Sequence, residues 1–394
     1  MRFQFTEAQE AFRKKVVSFL EAEKAADDTP WKSFELIGPS SIEFSRKLAE
    51  KNWIGITWPK QYGGREMSYV DKCILSEEMS RFQAPIGYHF LGERQVGPAL
   101  IKFGTDWQKE YFLPRITAAE EKSSFCLLFS EPDAGSDLAA CSTTAKQDGD
   151  HYIVNGQKTW NSGAHHADWG WLLAKTDFFE TTPKHMAFSE FMVDLTLPGI
   201  TIKPITNMAG EHSFNEVFFD NVAIHKKYLV GIENMGFKQI MAQIDYERSG
   251  PERLLQNFPV YEQTIAHIQK MDAASKTHGL YAWIRDAAAQ LEIEYTIGRL
   301  MCYQTAWTID QKKVATSQAA MSKAFCTQFA KRLNDVATKI IGPTSQIMSG
   351  SDWAPLEADI ARSFLWGPSY TLQGGSVEIL KNIIAQRGLG LPRN

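Results

Sequence analysis

The hydrophobic period of this chain changes twice, and nothing else in the sequence constrains the fold as tightly. Up to about residue 120 apolar residues recur at helical intervals. Thr6 and Gln9 stand in capping-box spacing ahead of Phe12, Val16, Val17 and Leu20, which predicts an amphipathic helix over residues 6–25. Further helices are predicted at Ile42–Lys51, Tyr69–Arg81 and Gly97–Phe103, separated by the breakers of Trp58–Gly64 and by Pro85. After Ser123 the apolar runs become short, β-branched or aromatic and turn-bounded: Phe125–Phe129, His151–Val154, Gly170–Ala174, Phe188–Val193, Ile200–Ile205 and Glu216–Ile224. Within HYIVNGQKTW the pair Asn155–Gly156 predicts a tight hairpin that delivers Trp160 and Ser162 to one end of the sheet. From Gly236 the helical period returns, with segments at 236–248, 254–271, 280–311, 315–341 and 376–387. The chain reads as α+β, with a helical domain over 1–121, a β-sheet or barrel-like domain over 122–232 and a helical bundle over 233–394.

Charge narrows the partners. A net charge of -4 with no basic tail gives no reason to expect nucleic acid or an anionic membrane. No apolar run approaches the ~18 residues needed to span a bilayer, and the N-terminus MRFQFTEAQEAFRKK lacks the apolar core of a signal peptide, so the cytoplasm is expected. Cys73, Cys126, Cys141, Cys302 and Cys326 have neither disulfide-framework nor zinc spacing, which fits a reducing compartment and no metal site.

Where the first change of period occurs, Leu127–Ala140 reads LLFSEPDAGSDLAA. Leu127 to Phe129 look like the end of a buried strand, and Pro132 to Asp137 can continue neither helix nor sheet. Such a loop exposes backbone N–H groups and, with the hydroxyls of Ser130 and Ser136, suits a polar ligand or a phosphate. On these residues alone an ordinary strand-ending turn is the simpler reading.

The runs FSEPDAGSD, DHYIVNGQKTW, NEVFFDNVAI, GFKQIMAQIDYERSG and GGSVEILKNIIAQRGLGLP, in this order, resemble the acyl-CoA dehydrogenase family, as do WPKQYGG and GPALIKFGTDWQKEYFLP in the N-terminal half. The resemblance covers nearly the whole chain. It implies a helical N-terminal domain, a middle β-domain and a C-terminal four-helix domain, with FAD and an acyl-CoA thioester meeting between them. It places Leu127, Phe129, Ser130, Gly135, Ser136, Trp160, Ser162 and Ser376 at the flavin, and Ser136 and Arg248 at the substrate. At position 162 the family more often has Thr, and Ser keeps the hydroxyl. By residue type alone Trp160 would pass as a core aromatic.

The family reaction needs a base for the α-proton beside the thioester. In many members it is a Glu in the C-terminal loop, where this chain has Gly374 within Leu372-Gln373-Gly374-Gly375-Ser376. A second family solution puts the Glu on the helix after the β-domain, and here IDYER supplies Glu247. Phe237, Ile240, Met241 and Ile244 form one apolar stripe, and Glu247 lies roughly 70° from its centre, at the edge of the buried face. A half-buried carboxylate there would have a raised pKa suited to accepting a proton. Its plainer reading is a helix-end pair with Arg248. The Gly374 N–H would still hold the thioester carbonyl, where negative charge develops.

Two segments depart from the homotetrameric pattern. The family's Arg-x-x-Phe-Gly aligns with Ser275-Lys276-Thr277-His278-Gly279, and its Gln-x-x-Gly-Gly with Lys339-Ile340-Ile341-Gly342-Pro343. Ser cannot replace a guanidinium at a pyrophosphate, and Pro343 removes a backbone donor. The expected assembly is therefore an α2β2 heterotetramer in which a second, related subunit completes the FAD site. Such members act on CoA thioesters of steroid side chains and pass electrons to an electron-transfer flavoprotein. The alternatives are a non-catalytic partner subunit, and a homo-oligomeric dehydrogenase or oxidase for a branched or aromatic acyl-CoA.

Overall fold

The computed structural model describes residues 4–26, 31, 39–241, 250–271 and 279–393. The chain packs as two compact units, one of Met1–Gly38, Ser68–Ala84 and Arg248–Asn394, the other of Pro39–Met67 and Pro85–Glu247. The architecture combines helices with a mixed sheet, as the α+β reading expects.

The second unit holds the sheet. Its strands are β1 (Phe125–Leu128), β2 (Thr144–Asp148), β3 (His151–Lys158), β4 (Trp169–Lys175), β5 (Phe188–Asp194), β6 (Ile200–Thr206), β7 (His212–His225) and β8 (Leu229–Val230). They run in the order β6-β7-β3-β2-β4-β5-β8, with β1 parallel to β4. β3 alternates buried and open residues and so has one wet face, whereas β4 and β5 are buried on both. One core forms from Cys126, Leu128, Val154, Leu172, Phe191, Val193, Val217 and Phe219. On the other face of β4 and β5, Leu173 and Phe188 pack with Ala134, Cys141 and Ile240, so the loop after β1 is part of the core. Helices Ile42–Glu50, Gly97–Phe103 and Asp106–Thr117 belong to this unit. The last is opened by a capping box of Thr105 and Gln108, and Gln108 Nε2 also donates to the carbonyls of Lys227 and Leu229 at 2.8 Å.

The hairpin expected at Asn155–Gly156 lies elsewhere. β3 runs straight through both residues, and the two-residue loop joining β2 to β3 is Gly149–Asp150, with Asp148 paired to His151. Gly149 takes φ +57, the conformation such a turn demands. Gly156 instead marks a register shift against β7, and a Cβ there would lie 2.5 Å from Thr143 Oγ1. It is glycine because its φ is +149 and because Thr143, the residue before β2, passes close by.

The first unit is helical. Thr6 and Gln9 form their expected capping pair ahead of Glu7–Ala26. Helix Tyr69–Phe82 carries the Ser68–Asp71 capping box, and Asp310 accepts from the N–H groups of Tyr69 and Val70 at 2.7 and 3.1 Å. Buried Glu77 on that helix accepts from Arg13 at 2.8 Å, from Arg299 and from the Tyr303 hydroxyl, tying three helices together. Burial would raise its pKa, but the Arg299 guanidinium beside it brings the balance below the usual carboxylate range. The bundle consists of Phe258–Lys270, Gly279–Asp310, Thr316–Ile341 and Asp359–Tyr370, followed by Val377–Ile383. Among the described residues no helix is long and apolar enough to cross a membrane.

Candidate functional site

The stretch expected to hold a ligand is pinned at both ends. After Leu128 the chain leaves the sheet, and a turn closes where Glu131 N–H donates to Ala134 O and Ala134 N–H to Glu131 O, at 2.9 and 3.0 Å. The Glu131 side chain, 5% exposed, folds back beneath it and meets donors only: Ser142 N–H and Oγ, Thr143 N–H and Lys158 Nζ, at 2.6 to 2.9 Å. Lys158 is fully buried and also donates to Phe129 O at 3.0 Å. Burial alone would raise the Glu131 pKa; the Lys158 ammonium, with hydrogen bonds from Lys158, Thr143 and Ser142, instead holds it down to about 2. A buried charge persists only where it is paired and hydrogen-bonded, and this pair staples the loop to β3.

Past Lys158 the chain carries the candidate aromatic. Thr159 N–H donates to Ser130 O at 2.9 Å, and Asn161 Nδ2 to Leu127 O at 2.8 Å. Between them Trp160 takes φ +61 and remains 59% exposed, its ring edge-on to Phe214 at 6.0 Å. A bulky residue in left-handed backbone costs on the order of 1–3 kcal/mol, which the pinned residues on either side sustain. Leu127, Phe129, Ser130, Trp160 and Ser162 therefore meet at one end of the sheet, delivered by the end of β3 rather than by a hairpin. Gly135 and Ser136 lie in the turn beyond, where a Cβ on Gly135 would meet no atom within 4 Å. A mostly exposed indole face and several hydroxyls in one place are the donor set that a planar ring with polar edges requires, so these residues fit a flavin.

The remaining candidates belong to the helical unit. Gly374 and Gly375 take φ +68 and +96, and Ser376 then caps helix Val377–Ile383. Lys323, 1% exposed on Thr316–Ile341, donates to Gly375 O at 2.5 Å. Lys339 to Ile341 end that helix, and Pro343 begins a 3-10 turn after Gly342. Glu247, Arg248 and the 275–278 part of the first departing segment lie outside the described residues. Among the described residues no cluster of His, Cys, Asp or Glu has the makings of a metal site, and all five cysteines are free and buried.

Sequence reasoning passed over Glu131, Lys158, Asn161, Asn215 and Lys323. Glu131 and Lys158 sit inside FSEPDAGSD and NGQKTW. The available signal was that Lys158 falls in step with Tyr152 and Val154 on the buried face of its strand, where a charge needs a partner.

Family models of the acyl-CoA dehydrogenase N-terminal, middle and C-terminal domains match residues 6–120, 126–222 and 234–389. The acyl-CoA dehydrogenase IpdE1 of Mycobacterium tuberculosis is 35% identical over 352 residues, 89% of this chain and 88% of its own. The solved Tcur3481-Tcur3483 steroid ACAD superposes with a TM-score of 0.88 at 27% identity, covering 100% of both chains. The ChsE4-ChsE5 complex from Mycobacterium tuberculosis superposes at 0.84 with 28% identity, again over 100% of both.

Proposed function

The chain belongs to the acyl-CoA dehydrogenase family, and on that footing we propose that it is the base-bearing subunit of a hetero-oligomer acting on a bulky, steroid-like acyl-CoA. It is an FAD-dependent acyl-CoA dehydrogenase, so two hydrogens leave the α and β carbons and a trans-2-enoyl thioester forms. Bound FAD supplies the acceptor for the β-hydrogen with its electron pair. Glu247 takes the α-proton, and the Gly374 N–H donates to the thioester carbonyl as charge grows there. Leu127, Phe129, Ser130, Gly135, Ser136, Trp160, Ser162 and Ser376 line the flavin, with Ser136 and Arg248 also touching substrate.

One observation carries the assignment of the base. Position 374, where a Glu would otherwise stand, is glycine at φ +68 and offers no side chain, which leaves Glu247 as the carboxylate of the family pattern. The hetero-oligomer is supported by the two departing segments, which lack the Arg and Gln a neighbour would need, and by the two-component character of the Tcur3481-Tcur3483 and ChsE4-ChsE5 structures. A second subunit would supply those side chains, in the cytoplasm, with electrons passing to an electron-transfer flavoprotein. Glu247→Gln in the assembled enzyme should slow anaerobic flavin reduction by acyl-CoA about a hundredfold or more while leaving bound FAD in place. Reduction at the normal rate would remove Glu247 from the role and favour the non-catalytic subunit.

A further inference from the structure

Beside Trp160 lies a cluster of imidazoles with no place in the reaction described so far. His165 stacks on His212, ring centroids 3.9 Å apart at 21°, and lies 4.0 Å from the ring of His166. Fully buried Asn215 stands between the stack and the Trp160 turn. Its Nδ2 donates to Asn161 O at 2.9 Å and lies 3.0 Å from His165 Nδ1, while its Oδ1 lies 2.8 Å from His212 Nε2. Its backbone O accepts from Asn161 N–H at 3.0 Å, and the next turn is tied by Gly163 N–H to Ser213 O at 3.2 Å.

The directions of these bonds are fixed by elimination. The Asn161 carbonyl can only accept, so the amide of Asn215 must face it with nitrogen. The second Nδ2 hydrogen then points at His165 Nδ1, which must carry a lone pair, and His212 must donate from Nε2. Burial, with the neighbouring imidazoles of His166 and His212, lowers the His165 pKa to about 4, so that ring stays neutral near pH 7.

The geometry points to Asn215 and His165 as positioning residues for the flavin wall: neutral His165 orients the Asn215 amide, and that amide clamps Asn161 and so holds Trp160 in its left-handed, outward-facing conformation. Asn161 O also accepts from Ala164 N–H, but at 3.4 Å against 2.9 Å for the bond from Asn215, and the Asn161 N–H is taken by Asn215 O as well. This inference rests on the placement of the flavin against Trp160 proposed above.

The test uses the full-length chain in its native FAD-loaded assembly, reading the absorbance envelope of the bound flavin and its dissociation rate. Asn215→Asp keeps the shape and presents oxygen to two acceptors, Asn161 O and His165 Nδ1. His165→Leu removes the acceptor, and His165→Gln can supply one. Asn215→Asp and His165→Leu should shift the envelope and release FAD about tenfold faster, the effect of one lost hydrogen bond, and His165→Gln should remain near wild type. Should Asn215→Asp not fold, the His165 pair decides alone. Equal behaviour of the Gln and Leu variants, or a native envelope in Asn215→Asp, overturns the inference. Trp160→Ala separates the two claims: if it too leaves the envelope unchanged, the placement of the flavin has failed, and if it alone changes the envelope, only the role of Asn215 and His165 has failed.

Discussion

Replacing Glu131 by Gln changes one atom and should cost more than almost any other substitution in the β-sheet unit. Both carboxylate oxygens face donors: Lys158 Nζ and Thr143 N–H on one, Ser142 N–H and Oγ on the other. Whichever way the Gln amide turns, its NH2 meets a donor. Lys158 is left fully buried with its charge uncompensated and only Phe129 O as partner. Breaking a buried pair from one side costs about 3–5 kcal/mol. The depressed pKa of the carboxyl corresponds to a magnitude of the same order. Glu131 falls from an ordinary 4.5 to about 2, which corresponds to roughly 3 kcal/mol. With its pKa depressed on folding, the unfolded chain binds more protons in the acidic range. The stabilisation is therefore complete above about pH 5 and fades as pH falls from about 4.5 toward 2. Urea unfolding of wild type and Glu131→Gln at pH 7 should differ by about 3 kcal/mol, and amide exchange at Thr143 should quicken in the variant. Adding Lys158→Met removes the stranded charge, so the double variant should lose less than the sum of the two singles. A Glu131→Gln difference within about 0.5 kcal/mol at pH 7, or strict additivity in the double variant, would refute the staple.

Lys323→Met removes a charge-assisted hydrogen bond from Gly375 O and should destabilise the helical unit by about 1.5–3 kcal/mol while raising KM for the acyl-CoA; unchanged values in both would show the lysine to be idle there. Gly374→Ala forces a Cβ into φ +68 and should cost about 1 kcal/mol in thermal unfolding, with turnover falling too; a variant as stable as wild type would mean the loop does not hold that conformation in solution.

Long-range periodicity was legible in the sequence because it depends on burial: the helices at 42–50, 69–82, 97–103, 279–310 and 316–341 and six of the strands lie close to where the apolar spacing puts them. What escaped was polar or brief. β2, Thr144-Ala145-Lys146-Gln147-Asp148, has a single buried residue and no apolar rhythm, and β8 is two residues long. Helices Asp106–Thr117 and Asp359–Tyr370 each contain a proline, Pro114 and Pro368, which reads as a breaker. The turn at Gly149–Asp150 was overshadowed by Asn155–Gly156, because a short-range signal does not reveal that Thr143 packs close to Gly156. At the site the side chains proposed to face the flavin were named from motifs. The Glu131–Lys158 pair and the Asn215 clamp join residues 27 and 54 positions apart, and only the folded chain brings such partners together.

The central claim, that this chain contributes one half of a flavin site and its base, is tested most directly by the subunit composition and flavin content of the native complex. Capture through a tag on this chain, followed by native mass spectrometry and flavin absorbance, should return two related kinds of subunit with about one FAD per pair, and the chain expressed alone should hold little FAD. A homo-oligomer of this chain carrying one FAD per chain would contradict the account.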